Sequence, residues 1–105
     1  MRIGIDNVLI SRMEKVGAGF PQRYLTPSEL KEYQSRSEVR RPSYLAGRFA
    51  AKEAYVKASG DKIDFRRIEI IDGADGAPVL HVDGQVVGQV SITHDFIATA
   101  LVLLK

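Results

Sequence analysis

The first ten residues alternate between apolar side chains and polar or small ones. Ile3 and Ile5 fall on one face, and Gly4 and Asp6 fall on the other. A period of two is typical of a half-buried β-strand. We therefore predict a strand over residues 2–10 that buries its Ile3 and Ile5 side, with Asp6 on the opposite side at the far end of the strand.

The pattern then changes to helical spacing, beginning at "TPSEL". Thr26 is a typical N-cap, Pro27 suits the first helical position, and Glu29 completes a capping box. These signals predict a helix from about Pro27 to Gln34.

A longer helix is predicted after Pro42 and Ser43, over roughly Tyr44–Ser59, with Gly60 placed to end it. Alanines dominate its interior, which favours close packing against a sheet. The segment "RFAAKEAYVKASG" nevertheless includes several charged side chains, whose presence needs an explanation.

The second half of the chain is rich in β-branched residues. The segments "FRRIEII", "PVLHV", "QVSIT" and "IATALVLL" predict strands, with turn signals at residues 73–76 and at Asp83-Gly84. The expected fold class is α+β: a small, mostly antiparallel sheet, which the N-terminal strand joins, with one long and one or two short helices.

Composition limits this architecture to one domain over residues 1–105. The chain is 45% hydrophobic and 27% charged, as in ordinary globular proteins. It contains no cysteine, which excludes disulfides, thiolate metal sites and a cysteine nucleophile. No apolar run is long enough for a signal peptide or a membrane span, so we expect a cytoplasmic protein.

The formal charge is only +2, but the basic residues are unevenly distributed. Arg36, Arg40 and Arg41 crowd the segment "QSRSEVRRPS". Such a cluster favours an anionic partner, either a phosphate or an acidic protein surface. The alternative interpretation is a solvated loop.

The charges on the long helix allow two interpretations. Glu53 and Lys57 lie four residues apart on one face, where they can form a simple surface ion pair. If the fold instead brings Asp6 close to Glu53, the two carboxylates suit Mg²⁺, and Lys57 can bind the phosphates of a substrate. Asp6 has its own alternative, a strand-end carboxylate in a turn.

His94 extends the stripe formed by Val90 and Ile92. A lone histidine on an apolar face is more often a core residue than a catalyst. Neither His94 nor His81 has the spacing of a zinc site.

Four segments together, "GID", "GRFAAKEAYVKA", "GAPVL" and "VSITHDFIATALVLL", resemble the holo-acyl-carrier-protein synthase family of 4'-phosphopantetheinyl transferases. The resemblance implies an enzyme of fatty-acid biosynthesis. It would move the phosphopantetheine arm of coenzyme A to a serine of apo acyl carrier protein and release adenosine 3',5'-bisphosphate. Family members look like homotrimers with active sites between subunits.

The resemblance also implies roles for single residues. Asp6 and Glu53 match the Mg²⁺ ligands, and Lys57 matches a lysine that meets the phosphates. We expect the base that takes the serine proton to be Glu53, with Asp6 as the second choice.

Further matches concern the two substrates. The resemblance places Arg48 and His94 near the coenzyme, with Arg40 and Arg41 as coenzyme A phosphate contacts from the adjacent subunit. The acidic carrier protein would be bound by three residues near the N-terminus, Arg12, Lys15 and Arg23.

Two other functions stay open at this point. One is a non-catalytic basic module for RNA or an acidic protein, formed by Arg36, Arg40, Arg41, Arg66 and Arg67. The other is a small Mg²⁺-dependent nucleotide hydrolase, which would use the same carboxylates without a carrier protein.

Overall fold

The computed structural model describes residues 1–105. Its elements are β1 (Arg2–Leu9), α1 (Ile10–Met13), α2 (Phe20–Tyr24), α3 (Pro27–Ser35), α4 (Arg41–Ser59), a 3-10 turn (Phe65–Arg67), β2 (Ile68–Asp72), β3 (Pro78–Val82), β4 (Gln85–His94) and β5 (Ile97–Leu104). All strand pairs are antiparallel, in the order β1-β5-β4-β3-β2. The predicted α+β class is confirmed, and β1 joins the sheet beside β5.

The long helix α4 covers one face of β1, and glycine makes this close packing possible. A Cβ atom built on Gly4 would lie 2.0 Å from the Ala54 carbonyl oxygen. The buried face of β1 therefore carries Gly4 and Val8, with Asp6 between them, whereas Ile3 and Ile5 are 63% and 56% exposed. The predicted choice of buried side was wrong, because alternation shows which residues share a face but not which face a helix covers.

The predicted helix signals are present in the structure. Thr26 and Glu29 form the capping box of α3, and Gly60 ends α4 in the left-handed conformation, with φ of 73°. The helix α4 begins at Arg41, three residues earlier than predicted, with Pro42 in its first turn. Proline tolerates this position because the first turn has no intrahelical partner for its missing N–H.

The strand and turn predictions differ from the structure mainly at the ends of elements. Asp83 and Gly84 have φ values of 51° and 82°, as a tight two-residue hairpin requires. The residues Phe65–Arg67 form a 3-10 turn instead of the start of a strand. The single-turn helices α1 and α2 raise the number of short helices to three, and their sequences are too short to show a helical period.

The core contains one completely buried lysine, Lys52. Its Nζ donates hydrogen bonds to Glu29 Oε1 at 2.6 Å, to the Tyr24 carbonyl at 2.8 Å and to the Phe65 carbonyl at 3.0 Å. The three donor positions of the ammonium group are therefore used. This lysine joins α4 to the end of α2, to α3 and to the 3-10 turn.

The partner carboxylate of Glu29 is equally buried and is also fully engaged. It accepts hydrogen bonds from the backbone N–H of Thr26 at 3.0 Å and of Ile70 at 2.8 Å. Because β2 is an edge strand, the bond from Ile70 satisfies an N–H that no neighbouring strand pairs.

None of the helices combines the length and the apolar composition needed to cross a bilayer.

Candidate active site

The structure brings Asp6 and Lys57 together across the junction of β1 and α4. Lys57 Nζ donates a hydrogen bond to Asp6 Oδ1 at 2.8 Å and another to the Ile5 carbonyl at 3.2 Å. The hydrogen bond to Asp6 and the charge of Asp6 raise the pKa of Lys57, and the charge of Glu53 adds to the increase. Glu53 lies near enough for its charge to act on Lys57, and we call Asp6, Glu53 and Lys57 together the carboxylate cluster.

The carboxylate of Glu53 is half-buried and has no hydrogen bond or ion pair, since Lys57 points to Asp6 instead. The simple Glu53–Lys57 surface pair considered from the sequence does not form. The alternative for Asp6 is also wrong, because Asp6 lies within β1, opposite Ala100 of β5, and not in a turn.

The donor set of the carboxylate cluster fits Mg²⁺. Glu53 is uncommitted and Asp6 uses one carboxylate oxygen for Lys57. The structure contains no group of three or more histidine or acidic side chains that could hold a metal by themselves. Mg²⁺ suits a cluster with only two carboxylates, because it usually takes one or two of them and completes its octahedral coordination with water and substrate phosphates.

A second feature is a cavity of about 460 Å³ between the N-terminal half of α4 and the end of β4. Its lining includes Arg36, Arg40, Tyr44, Arg48 and His94, and no acidic residue. We call it the arginine pocket. Three guanidinium groups around one concave surface favour a strongly anionic ligand.

Arg48 is the most buried basic side chain of this pocket. Its guanidinium carbon lies 4.5 Å from the centre of the Tyr44 ring, and its Nη2 is 3.6 Å from carboxylate oxygens of Glu32 and Asp72. These distances are too long for hydrogen bonds, so the Nε and Nη2 donors have no partner. The carboxylates of Glu32 and Asp72 nevertheless balance part of the charge of Arg48.

The Tyr44 ring forms part of the wall of the arginine pocket. Its hydroxyl donates to Glu32 Oε1 at 2.8 Å, and burial raises the pKa of Tyr44 above its usual value. Arg36 lies over the same ring at 5.0 Å. The sequence analysis assigned no site role to Tyr44, and it placed Arg36 in a basic cluster for an anionic partner but not near the coenzyme.

The structure separates two neighbouring arginines that sequence reasoning treated together. Arg40 lines the arginine pocket, whereas Arg41 donates to the backbone carbonyls of Arg36 at 3.2 Å and Gln34 at 3.0 Å and lies over the Tyr33 ring. The geometry therefore supports a ligand role for Arg40 and an intramolecular role for Arg41.

The three residues predicted to bind the carrier protein are exposed and form no ion pair. Arg12 is in α1, Lys15 lies two residues after it, and Arg23 is in α2. Their charges are available to a partner.

The basic surface considered as an alternative is largely neutralised. Arg66 pairs with Asp64 at 3.0 Å, and Arg67 pairs with Asp83 at 2.7 Å. Arg41 is bonded to the backbone, and only Arg36 and Arg40 of the proposed set line the arginine pocket.

The two parts of the site lie on different stretches of α4. Glu53 comes 13 positions after Arg40, about 20 Å along the helix, but only five positions after Arg48, about 8 Å. The arginine pocket therefore lies on the N-terminal half of α4, and the carboxylate cluster lies on its C-terminal half.

Fold and site together define a small α+β domain whose carboxylates, lysine and arginines suit a phosphorylated ligand. The chain belongs to the 4'-phosphopantetheinyl transferase superfamily, whose family model matches residues 2–100.

Individual relatives agree with this membership. The holo-[acyl-carrier-protein] synthase of Oceanobacillus iheyensis is 43% identical over 88 residues, which cover 78% of this chain and 74% of the relative. The protein of the same name from Oenococcus oeni is 39% identical, with 97% of this chain and 91% of the relative covered.

Solved structures show the same fold. A Bacillus anthracis holo-(acyl-carrier-protein) synthase in complex with CoA (3',5'-ADP) superposes with a TM-score of 0.90 at 36% identity, covering 98% of this chain and 94% of that one. The Helicobacter pylori enzyme in complex with coenzyme A has a TM-score of 0.83 at 32% identity, covering 98% and 99%.

Proposed function

We propose that this protein transfers the 4'-phosphopantetheine arm of coenzyme A to a serine hydroxyl of apo acyl carrier protein and releases adenosine 3',5'-bisphosphate. The observation that carries the proposal is the carboxylate cluster of Asp6, Glu53 and Lys57 in a chain that matches the transferase family over almost its whole length.

Asp6 and Glu53 would hold Mg²⁺. When bound, the ion supplies positive charge that stabilises the diphosphate oxygens as negative charge builds up on them. Lys57 is an exposed positive charge beside Asp6 and would contact the diphosphate directly.

The attacking serine must lose its proton because the hydroxyl is a weak nucleophile at its own pKa. We assign the proton to a carboxylate oxygen of Glu53, directly or through a water molecule. The support is that Glu53 has no partner, whereas Asp6 is already bonded to Lys57.

The arginine pocket is our proposed site for the remaining phosphate of coenzyme A. Arg40, Arg48 and His94 were predicted to meet the coenzyme, and Arg36 joins them in the pocket. The guanidinium of Arg48 would add positive charge to the wall of this pocket. A coenzyme role for Arg41 stays a prediction without geometric support.

We also propose a homotrimer with active sites between subunits. Three cross-strand pairs on the outer face of the sheet are apolar, Ile3–Leu103, Ile5–Leu101 and Leu9–Ile97, and the polar pair Asn7–Thr99 lies between the last two. Most of the apolar side chains are exposed, and such a surface typically marks an interface. In such a trimer, one coenzyme A molecule could contact the arginine pocket of one subunit and the carboxylate cluster of its neighbour.

The carrier protein would bind through Arg12, Lys15 and Arg23, whose exposed charges suit an acidic partner. A cytoplasmic location and a place in fatty-acid biosynthesis are proposals that come with the family.

The decisive experiment is intact-mass spectrometry of an apo acyl carrier protein incubated with this protein, coenzyme A and Mg²⁺. We expect the carrier to gain one phosphopantetheine. The gain should disappear with EDTA and with Glu53→Gln, while the circular dichroism of the variant stays unchanged because a helix tolerates glutamine about as well as glutamate.

If several carrier proteins all keep their mass when they are incubated with folded enzyme, the proposed transferase activity is contradicted. Full activity of Glu53→Gln would remove Glu53 from the site. Hydrolysis of coenzyme A without modification of any carrier would favour the nucleotide hydrolase considered from the sequence.

A further inference from the structure

Lys57 binds one of the two carboxylate oxygens that Asp6 could offer to a metal ion. Its Nζ is 2.8 Å from Asp6 Oδ1 and 3.2 Å from the Ile5 carbonyl oxygen. The carboxylate of Asp6 is about four-fifths buried, whereas the side chain of Lys57 is more than half exposed. The lysine is thus accessible to a ligand from solvent, whereas most of the aspartate is covered.

Electrostatics favours this arrangement in the absence of ligands. Asp6 lies on the face of β1 that α4 covers, and a buried carboxylate without a counter-ion is costly. Glu53 adds a second negative charge close by. A divalent cation and the ammonium group would repel each other if both were held at the same carboxylate oxygen.

We propose that Lys57 is a built-in counter-ion of Asp6 that a divalent cation must displace, so that the diphosphate, by accepting the released lysine, strengthens cation binding. This inference deepens the proposed function and rests on it. The exchange balances charge: one ammonium group leaves the carboxylate, the cation takes its place, and the lysine then pairs with an oxygen of the diphosphate. Cation and coenzyme therefore bind with positive coupling.

The test is a direct titration of Mn²⁺ into the full chain in the absence of carrier protein. Electron paramagnetic resonance measures binding as the loss of the free-ion signal. Removing the internal competitor in Lys57→Met should tighten Mn²⁺ binding about three- to tenfold, the range expected when a partly exposed ion pair no longer has to be broken. Addition of coenzyme A should tighten Mn²⁺ binding more for the unmodified protein than for Lys57→Met.

Lys62→Met is the matched control, because Lys62 is an exposed lysine just beyond α4 that has no ion pair. It removes the same charge without touching Asp6, so its Mn²⁺ affinity should stay within about twofold of the unmodified protein. Lys57→Gln is a second variant, which checks that the effect does not depend on the methionine side chain.

Unchanged or weaker Mn²⁺ binding by both Lys57 variants would overturn the inference, as would an equal increase in Lys62→Met or no Mn²⁺ binding by any form. The carrier-protein mass assay separates this result from failure of the proposed function. An unmodified protein that still loads the carrier while Lys57→Met shows no tighter binding refutes only the counter-ion role. Tighter binding without any loading refutes only the transferase.

Discussion

At the scale of single residues, three charged side chains on α4 have different surroundings within six positions. Successive helical residues turn by about 100°, so Lys52 and the next residue, Glu53, face different directions, whereas Glu53 and Lys57 share a side. Lys52 enters the core, and Lys57 reaches across to β1. Of the charged residues in this alanine-rich helix, Lys52 therefore has a structural role in the core, whereas Glu53 and Lys57 belong to the candidate site.

The adjacent arginines at the start of α4 allow a matched comparison. Arg40→Gln should raise the KM for coenzyme A about five- to tenfold with a smaller change in kcat, because it removes one charge-assisted phosphate contact worth about 1–1.4 kcal/mol. Arg41→Gln removes the same charge from a side chain bonded to the protein backbone and should leave the KM near that of the unmodified enzyme. Steady-state kinetics with saturating carrier protein measures both values, and equal effects would contradict the assignment of Arg40.

The buried pair of Lys52 and Glu29 allows a prediction about stability. Lys52→Met would leave the carboxylate of Glu29 buried without a cation, which should lower the free energy of unfolding by about 3–5 kcal/mol. Adding Glu29→Gln should restore part of the loss, since no buried charge then remains. Urea denaturation followed by circular dichroism measures both effects.

Lys62→Met is again the control and should change stability by less than about 0.5 kcal/mol. If Lys52→Met proved as stable as this control, the buried pair would not stabilise the fold in the way proposed.

At the scale of elements, the packing of α4 on β1 positions the carboxylate cluster. The closest approach is at Gly4, where the helix backbone leaves no room for a Cβ atom. Asp6 comes two residues later on the same face, so the distance between strand and helix also sets the distance between Asp6 and the charged residues of α4.

Gly4→Ala should therefore separate the two elements. The added methyl group would overlap the Ala54 carbonyl, and we expect a loss of about 1–3 kcal/mol of stability together with weaker Mn²⁺ binding. Gly17→Ala is the comparison, because nothing lies within 4 Å of a Cβ atom there. Thermal unfolding and Mn²⁺ titration are the measurements, and a Gly4→Ala protein that matched Gly17→Ala in both would contradict this role of the close packing.

At the scale of the whole molecule, the outer face of the sheet offers the surface for assembly. Ile5 and Leu101 are cross-strand partners there, and both are substantially exposed in the isolated chain. Burial of such side chains contributes roughly 25 cal/mol per Å².

Ile5→Lys should therefore convert a trimer to monomers with little loss of monomer fold, because it places a charge in the middle of the apolar surface. Light scattering coupled to size-exclusion chromatography measures the molar mass, and carrier loading should fall with it if sites are shared. Val86→Lys is a control that changes an exposed valine of β4 outside the cross-strand pairs of β1 and β5. An unmodified protein that eluted as a monomer would contradict the assembly.

The sequence alone determined the fold class, the capping box of α3, the glycine end of α4, the two-residue turn at Asp83-Gly84 and the span of β5. These features depend on local periodicity and on backbone preferences, which single residues carry. The resemblance of its motifs to the transferase family also named Asp6 and Glu53 as candidate Mg²⁺ ligands.

Only the tertiary structure decided which face of β1 is buried and that Lys57 pairs with Asp6. It also brought together the side chains that line one pocket, Arg36, Arg40, Arg48 and His94. Each depends on contacts between residues far apart in the chain, such as Asp6 with Lys57 and Lys52 with Glu29. The physical reason is that a periodic pattern shows which side chains share a face, whereas the energies of burial and of charge pairing depend on what covers that face.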